Sequence, residues 1–210
     1  MRSDPAAREA DARAERLSDQ FERWFDEAAD RTLGGLSNVF REKSFAVLFV
    51  VLLCVPALPL PTGGATHVFE VIAVLLALQL MLGRSEIWLP RRWRALELAG
   101  PKRQRLVRAL IRLIRRLERV SRPRLSFLFE HRLANVIFGA LVAVGSTAAF
   151  LAPPFSGLDT LPALGVVMLS VGVLLEDVLV VIAALLVGAV GVAIEVARGR
   201  AVIHGIGSLL

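Results

Sequence analysis

The chain has 210 residues, of which 55% are apolar, and it carries 25 Lys and Arg against 19 Asp and Glu, a net charge of +6. The charges are segregated, because residues 44–83 and 133–197 contain no Lys or Arg. A charge in hydrocarbon is costly, so this segregation is typical of an integral membrane protein and argues against a soluble one. The single cysteine, Cys54, excludes an internal disulfide. No early apolar stretch is present, so no cleavable signal peptide is predicted.

The charge also differs between segments. Residues 1–43 carry a net charge of −2 and residues 84–132 carry +11, which places the central segment in the cytoplasm by the positive-inside rule. We therefore divide the chain into five parts. They are N-terminal cytoplasmic amphipathic helices (1–43), a first membrane hairpin (44–90), a basic cytoplasmic amphipathic segment (91–132), a second hairpin with a last helix (133–197), and a C-terminal tail (198–210).

Two cytoplasmic helices are predicted before the first membrane segment. The apolar residues of 6–31 recur at helical spacing among charged residues: Leu17, Phe21, Trp24, Phe25 and Ala28. Such a helix docks on its own protein, on the membrane surface or on a partner protein. Thr32 is predicted to cap a second short helix that ends near Phe40.

The first membrane hairpin consists of two short apolar helices joined by a turn that contains Pro61 and Gly64. Ser44 is predicted to cap a helix over residues 45–55, and a second helix is predicted over 68–82. At about 1.5 Å per residue, these helices rise only about 16 and 22 Å. The hydrocarbon core of a bilayer is roughly 30 Å thick. The lengths therefore favour a re-entrant or broken hairpin over two full crossings.

Residues 100–124 are predicted to form a basic amphipathic helix, with Leu and Ile on one face and Arg on the others. That composition suits a helix lying among the anionic headgroups of the bilayer. Nucleic-acid binding can be suggested for any arginine-rich helix. The neighbouring membrane segments already account for the charge, so nucleic acid is not an expected partner.

The second half repeats the first at an offset of 93 residues, which places Pro61 on Pro154 and Gly64 on Gly157. Apolar helices are predicted over 133–151, 158–175 and 178–196, the last with Ala184 and Gly188 for close helix contact. The predicted fold is thus all-α, a polytopic membrane protein with about five apolar helices in two repeated, Pro/Gly-broken hairpins. Repeated broken hairpins point to a binding site near the midplane of a transporter. Duplication can equally preserve a stable fold.

The sequence leaves the topology of the second half open. If the second hairpin returns to the cytoplasmic side, the last helix carries Arg198 and Arg200 to the outside, against the positive-inside rule. A re-entrant second hairpin that does not return would remove this conflict.

The candidate functional residues are the polar side chains of the membrane segments, because ionisable groups at membrane depth mark substrate or ion pathways. They are Glu70, Gln79, Arg84, Asp159, Glu176 and Asp177. Each has a structural alternative, since the carboxylates can lie in water at the turns and Arg84 can extend to the membrane surface. Trp88 is predicted to be an interfacial anchor. Glu195 is predicted to pair with Arg198, three residues further on.

No catalytic motif is present, so the sequence predicts neither an enzyme nor a cofactor. P-loop, nucleophile-elbow and zinc-protease patterns are absent. The three histidines, His67, His131 and His204, are far apart, so no metal site is predicted.

Three motifs resemble the ExoD family of bacterial exopolysaccharide-synthesis membrane proteins. They are P-x-P-x-G at 59–63, Q-x-x-x-G-R followed by W-L-P at 79–90, and P-A, G and E-D between 162 and 177. The resemblance extends over about residues 12–197, and the chain departs from the pattern at Val178 and in the polar stretch from His67 to Glu70. It implies an inner-membrane protein linked to extracellular polysaccharide production, without an established reaction mechanism.

Two functions follow as hypotheses. In the first, the protein transports or handles an anionic lipid carrier or small solute, with Arg84 at the anionic group and Glu70 or Glu176 and Asp177 coupling to protons. In the second, it is a non-transporting accessory subunit that scaffolds the polysaccharide-synthesis machinery through its N-terminal helix and basic segment. A membrane-embedded enzyme is a weaker third hypothesis, because no nucleophile and base are paired.

Overall fold

A computed structural model of the chain describes residues 17–27, 32–39, 43–58, 66–84, 87–95, 101–120, 132–152 and 158–207. Within these ranges the regular structure is helical. The helices are α1 (Leu17–Glu27), α2 (Leu33–Val39), α3 (Ser44–Leu53), α4 (Thr66–Met81), α5 (Arg91–Arg94), α6 (Pro101–Val120), α7 (Arg132–Leu151), α8 (Thr160–Leu174) and α9 (Val178–Gly207).

Two short helices, α3 and α8, form the centre of the bundle. All residues of α3 except Val51 are buried, and α8 is buried along most of its length. Both helices are apolar on every side, which is the composition of a helix enclosed by other helices. They pack against each other, α4 packs against α7, and α9 covers α8. The chain leaves α3 just before Pro56, whose ring does not fit inside a helix.

The bundle helices run antiparallel to their neighbours, so the bundle has two distinct ends. Lys43, at the start of α3, donates hydrogen bonds to the Leu174 carbonyl and to Glu176 Oε1 at the end of α8, both at 3.2 Å. Arg132, at the start of α7, lies over Gly83 at the end of α4. We call this end the exit face. The opposite end, where the His67 ring meets the Phe150 ring at 5.2 Å, is the turn face.

The helices α4 and α8 end in the same way, 93 residues apart. Gly83 and Glu176 both have left-handed backbones, with φ of 73° and 55°. In each case the next residue donates its N–H to the carbonyl five residues earlier: Arg84 to Gln79 at 3.1 Å, and Asp177 to Gly172 at 3.0 Å. This is the Schellman ending of a helix, which satisfies carbonyls that the last turn leaves unpaired.

The outward faces of the bundle are apolar. Exposed side chains form stripes at helical spacing on α4 (Val68, Val71, Leu75, Leu78, Leu82) and on α9 (Leu179, Ile182, Leu186, Val190). Within the part of the chain that the structure describes, two helices are long and apolar enough to cross a membrane, namely Arg132–Leu151 and the Val178–Arg198 part of α9. The apolar helices α3, α4 and α8 are shorter.

The N-terminal helix α1 docks on the basic helix α6. Phe21, Trp24 and Phe25 are buried. The Ser18 hydroxyl donates to Glu118 Oε2 at 2.6 Å, and Arg115 bonds to Glu22 at 2.6 Å. Docking on its own protein, one of the three predicted roles of this helix, is therefore what the structure shows. The Glu22 hydrogen bond, followed by the charge of Glu22 and the nearby Asp19, raises the pKa of the Arg115 guanidinium.

The predicted helices are observed with shifted ends. The prediction of a Thr32 cap is confirmed, because its hydroxyl accepts the Gly35 N–H at 3.1 Å. The prediction of a Ser44 cap was wrong, since Ser44 is the first helical residue and Lys43 holds the cap position without a side-chain cap bond. The last helix is also longer than predicted and runs to Gly207. The predicted hairpin turns, with Pro61, Gly64, Pro154 and Gly157, lie outside the described residues.

Candidate functional site

On the exit face, Gln79 forms hydrogen bonds to the segment that follows α4. Its side-chain amide donates to the Trp88 carbonyl at 3.0 Å, and its side-chain oxygen accepts the Trp88 N–H at 2.8 Å. Both hydrogen-bonding groups of the Gln79 amide are thus used by one backbone residue. The Trp88 ring remains 61% exposed. The contacts give Gln79 a structural role, and a part in a substrate pathway remains a prediction.

The two acidic residues of the exit face serve the ends of helices. Asp177 is buried and its Oδ1 accepts the Leu179 N–H at 2.9 Å, which makes it the N-cap of α9. Glu176 pairs with Lys43 at 3.2 Å and joins the end of α8 to the start of α3. Lys43 also reaches a carbonyl at the C-terminal end of α8, where the helix dipole favours a cation.

The exit face is strongly basic. Arg84 is exposed, as are Arg91, Arg92 and Arg94 in the short helix α5. Arg84 therefore does not lie inside the bundle. Exposed guanidinium groups suit phosphate or carboxylate binding, because each presents a fork of donors.

On the turn face, Glu70 lies inside the apolar bundle. None of its side chain is exposed, and its Oε2 lies 2.8 Å from Nδ1 of His67, one turn earlier in α4. The other oxygen, Oε1, is buried without a hydrogen-bond partner among the described residues. His67 is 30% exposed, so it lies between the surface of the turn face and the buried carboxylate.

Two further carboxylates surround Glu70. Asp159 precedes α8 and interacts electrostatically with Glu70, and Glu195 of α9 interacts with both. Asp159 occupies the N-cap position of α8 but makes no side-chain cap bond. The predicted ion pair between Glu195 and Arg198 was wrong. No such pair forms among the described residues, and Glu195 Oε1 is buried without a partner.

The structure therefore divides the predicted candidates into two groups. Glu70 and Asp159 lie together on the turn face, whereas Gln79, Arg84, Glu176 and Asp177 lie on the exit face. Glu195 could not be placed beside Glu70 from the sequence, because Arg198 offers it a local partner. His67 lacks the spacing of a metal ligand, and its position three residues before Glu70 is the signal that identifies the pair.

The side chains of the turn-face group are of the types that bind and release protons. Three carboxylates and one imidazole are close enough to interact, and two carboxylate oxygens are buried and unpaired. No group of three or more His, Cys, Asp or Glu side chains has an arrangement that could hold a metal ion in the described ranges. A protonated carboxyl group can supply the missing donor to a neighbouring oxygen.

An apolar cavity of about 690 Å³ lies between α7, α8 and α9. Small residues, including Gly145, Gly165 and Gly188, line it together with Leu and Val side chains. The lining of this cavity is apolar and suits a hydrocarbon chain rather than a polar solute.

The fold and these sites define an all-helical protein whose apolar bundle encloses a buried carboxylate, with two helices able to cross a membrane. A family model described as "Exopolysaccharide synthesis, ExoD" matches residues 17–197. The chain belongs to the ExoD family.

Two relatives can be compared with it. An uncharacterised protein of Synechocystis sp. is 33% identical over 168 residues, which cover 79% of this chain and 78% of that protein. The protein ExoD of Rhizobium meliloti is 31% identical over 151 residues, which cover 71% of this chain and 62% of that protein. No solved structure matches the chain.

Proposed function

We propose that the chain is a multi-pass protein of the bacterial inner membrane that supports exopolysaccharide synthesis by transporting or handling an anionic lipid carrier or small solute. The observation that carries this proposal is the burial of Glu70 in an apolar bundle. A carboxylate is expensive to keep inside a membrane protein, and it is typical of an ion or substrate pathway.

The outward-facing apolar stripes of α4 and α9 support the membrane assignment, because a soluble protein rarely exposes such continuous apolar surfaces. The basic exit face then lies in the cytoplasm by the positive-inside rule. The antiparallel helices return both hairpins to this face, so α9 carries Arg198 to the opposite side. The proposed topology therefore includes one mild exception to the positive-inside rule, at Arg198.

The matching ends of α4 and α8 support an internal repeat. The contacts follow the same pattern, because the first helix of each hairpin packs on the second helix of the other, α3 on α8 and α7 on α4. Such an exchange is expected of two parallel repeats related by an axis along the membrane normal. In transporters built from repeats, the binding site lies where the repeats meet.

The proposed substrate is anionic because of the exit face and the cavity. Exposed arginines, Arg84 among them, would attract a phosphate or carboxylate. The apolar cavity between α7, α8 and α9 has room for part of a hydrocarbon chain. An amphiphile with an anionic head and a long apolar tail, such as a polyprenyl phosphate, offers the chemistry that each of these two features suits, whereas a neutral sugar offers neither.

The proposal is tested by measuring the movement of polyprenyl phosphates and of small anions across proteoliposomes. Wild type should accelerate the movement of one of them, while Glu70→Gln and Arg84→Ala should slow it. Loss of one transition-state interaction of a charged group corresponds to about tenfold or more. Val71→Ala, on the outward stripe of α4, serves as the matched control. Absence of any flux with purified wild type would contradict a transport function.

The scaffold function remains the alternative, favoured by the exposed arginines of α6, which include Arg108, Arg112, Arg116 and Arg119. They are available to anionic headgroups or to an acidic partner of the synthesis machinery. The apolar face of α1 is already covered by α6, so a partner would have to bind elsewhere on this pair. Deletion of residues 1–31 that abolishes polysaccharide production while leaving flux unchanged would favour the scaffold.

A further inference from the structure

Three polar oxygens on three helices are buried without a hydrogen-bond partner among the described residues. They are Glu70 Oε1 on α4, Ser146 Oγ on α7 and Glu195 Oε1 on α9. Buried polar atoms are almost always paired, so three exceptions in one bundle call for a physical reason.

The packing of α4 on α7 places Ser146 at the height of Glu70. At one end of this pair the His67 ring meets Phe150, and further along it Gly139 closely approaches Ala77. In this antiparallel register, Ser146 lies one turn from Phe150 toward the exit face, just as Glu70 lies one turn from His67 in the same direction. Gly191 of α9 packs against Leu161 and Pro162 at the start of α8, and Glu195 follows one turn further toward the turn face, where it interacts electrostatically with Glu70. All three oxygens therefore belong to one level of the bundle, which we call the polar chamber.

The charges around the chamber do not balance. Glu70, Asp159 and Glu195 bring three carboxylates, and His67 is the one basic group hydrogen-bonded to them in the described structure. On the other packed helices, Lys43 of α3 and Arg132 of α7 lie at the opposite end of the bundle. Arg198 of α9 is exposed and makes no ion pair with Glu195. Like charges in a medium of low dielectric constant cannot all remain ionised.

We propose that the polar chamber of Glu70, Ser146 and Glu195, with Asp159 at its edge, binds one exchangeable proton, and that His67 passes this proton to and from the turn face. The inference deepens the proposed function by naming its coupling ion, and it rests on that function only for the use made of the proton.

The transfer needs no other reactant. A protonated His67 donates its Nδ1 proton along the 2.8 Å contact to Glu70 Oε2. The imidazolium and carboxylate become a neutral imidazole and a carboxylic acid, and no net charge enters the bundle. Water at the turn face supplies this proton beforehand by protonating Nε2 of the partly exposed imidazole, and it takes a proton back from Nε2 when Glu70 returns its proton to Nδ1. The Phe150 ring, packed edge-on, holds His67 in the orientation that this requires.

A proton explains the unpaired oxygens better than a metal ion does. The acidic side chains here do not have a metal-holding arrangement. When the proton lies on Oε1 of Glu70 or of Glu195, it gives a neighbouring chamber oxygen the donor that this oxygen lacks. Ser146 can accept this hydrogen bond or donate its own.

The proton is detected by infrared spectroscopy of the purified protein in nanodiscs, using the C=O stretch of a protonated carboxylic acid and its shift in D2O. Wild type should show this band at neutral pH, and Glu70→Gln should lose it. His67→Ala should keep the band, but its carboxylic proton should exchange with D2O about tenfold more slowly or less completely, because a relay has been removed. Glu22→Gln, in α1 outside the apolar bundle, is the matched control and should leave the band unchanged.

Three results would overturn the proposal: no band at neutral pH in wild type, an unchanged band in Glu70→Gln, or a band that disappears on adding Na⁺ at constant pH. If Glu70→Gln does not fold, Ser146→Ala carries the test. The band should then move, because the acid loses a hydrogen-bonding neighbour, and an unmoved band would contradict the chamber. A band without flux would contradict transport alone, whereas flux without a band would contradict the proton site alone.

Discussion

Glu176 adopts a backbone conformation that ordinarily suits glycine, as Gly83 does at the matching position of the first hairpin. For a residue with a Cβ, this left-handed conformation costs about 1–2 kcal/mol. The ion pair with Lys43 offsets part of this cost, although half-exposed pairs contribute little. What the side chain at 176 contributes is a connection between α8 and α3, at some cost to the backbone.

Replacing Glu176 by glycine and by alanine separates these effects. Both variants lose the Lys43 contact, but only glycine relieves the backbone. Glu176→Gly should therefore be more stable than Glu176→Ala by about 1 kcal/mol. Thermal unfolding of both variants in the same detergent measures the difference. Equal stability would show that the left-handed conformation at this position carries no strain.

A second prediction concerns Gln79. Replacing it by leucine removes two hydrogen bonds to the Trp88 backbone, each of which contributes about 1 kcal/mol. Amide hydrogen exchange of the Trp88 segment should become faster, whereas the global melting temperature should change little. Val71→Ala on the same helix should leave the exchange as in wild type. Unaltered exchange in Gln79→Leu would mean that other contacts hold the segment.

Single residues show most clearly where sequence reasoning stops. The Thr32 cap depends on neighbours three residues away, and it was predicted correctly. Glu195 was assigned to Arg198 for the same kind of local reason, yet its surroundings are set by α4 and α8, more than 30 residues away in sequence. Side-chain partners that come from other helices depend on register, which periodicity does not determine.

At the scale of elements, the crossing of α8 and α9 depends on one glycine more than on the other. A Cβ on Gly165 would come within 2.6 Å of Gly188 Cα, which is backbone that cannot move aside. A Cβ on Gly188 would meet only Gly165 Cα, at an ordinary 3.7 Å. The small residues Ala184 and Gly188 were predicted to face another helix, whereas the more demanding Gly165 could not be identified without the crossing geometry.

Gly165→Ala should accordingly destabilise the protein by about 1–3 kcal/mol, the usual cost of overpacking. Gly188→Ala should leave stability unchanged or raise it slightly, because alanine favours helix. Comparing the two melting temperatures tests the crossing directly. A larger loss for Gly188→Ala would require a different approach of the two helices.

At the scale of the whole molecule, the helix ends support the topology proposed above, which the sequence left open. Helical periodicity and charge gave the approximate positions of the apolar helices and the basic segment. Whether the second hairpin returns depends on how α3 and α8 pack, and the Lys43 contacts place the start of one beside the end of the other.

This topology predicts which residues share a side of the membrane. In a Cys54→Ala background, cysteines at Gly64 and Gly157 should react with an impermeant thiol reagent in intact spheroplasts. Cysteines at Arg84 and Arg92 should react only after permeabilisation. Labelling of Gly64 and Gly157 from opposite sides would contradict the parallel arrangement of the two hairpins.

The most direct test of the account is transport under an imposed pH gradient. Proteoliposomes of wild type and Glu70→Gln are loaded with a pH-sensitive dye, and the movement of polyprenyl phosphate is followed with and without the gradient. The account predicts that the wild-type rate depends on the gradient and that each movement is accompanied by a change in internal pH, both of which Glu70→Gln loses. Movement that is equally fast with and without the gradient, or identical in Glu70→Gln, would contradict it.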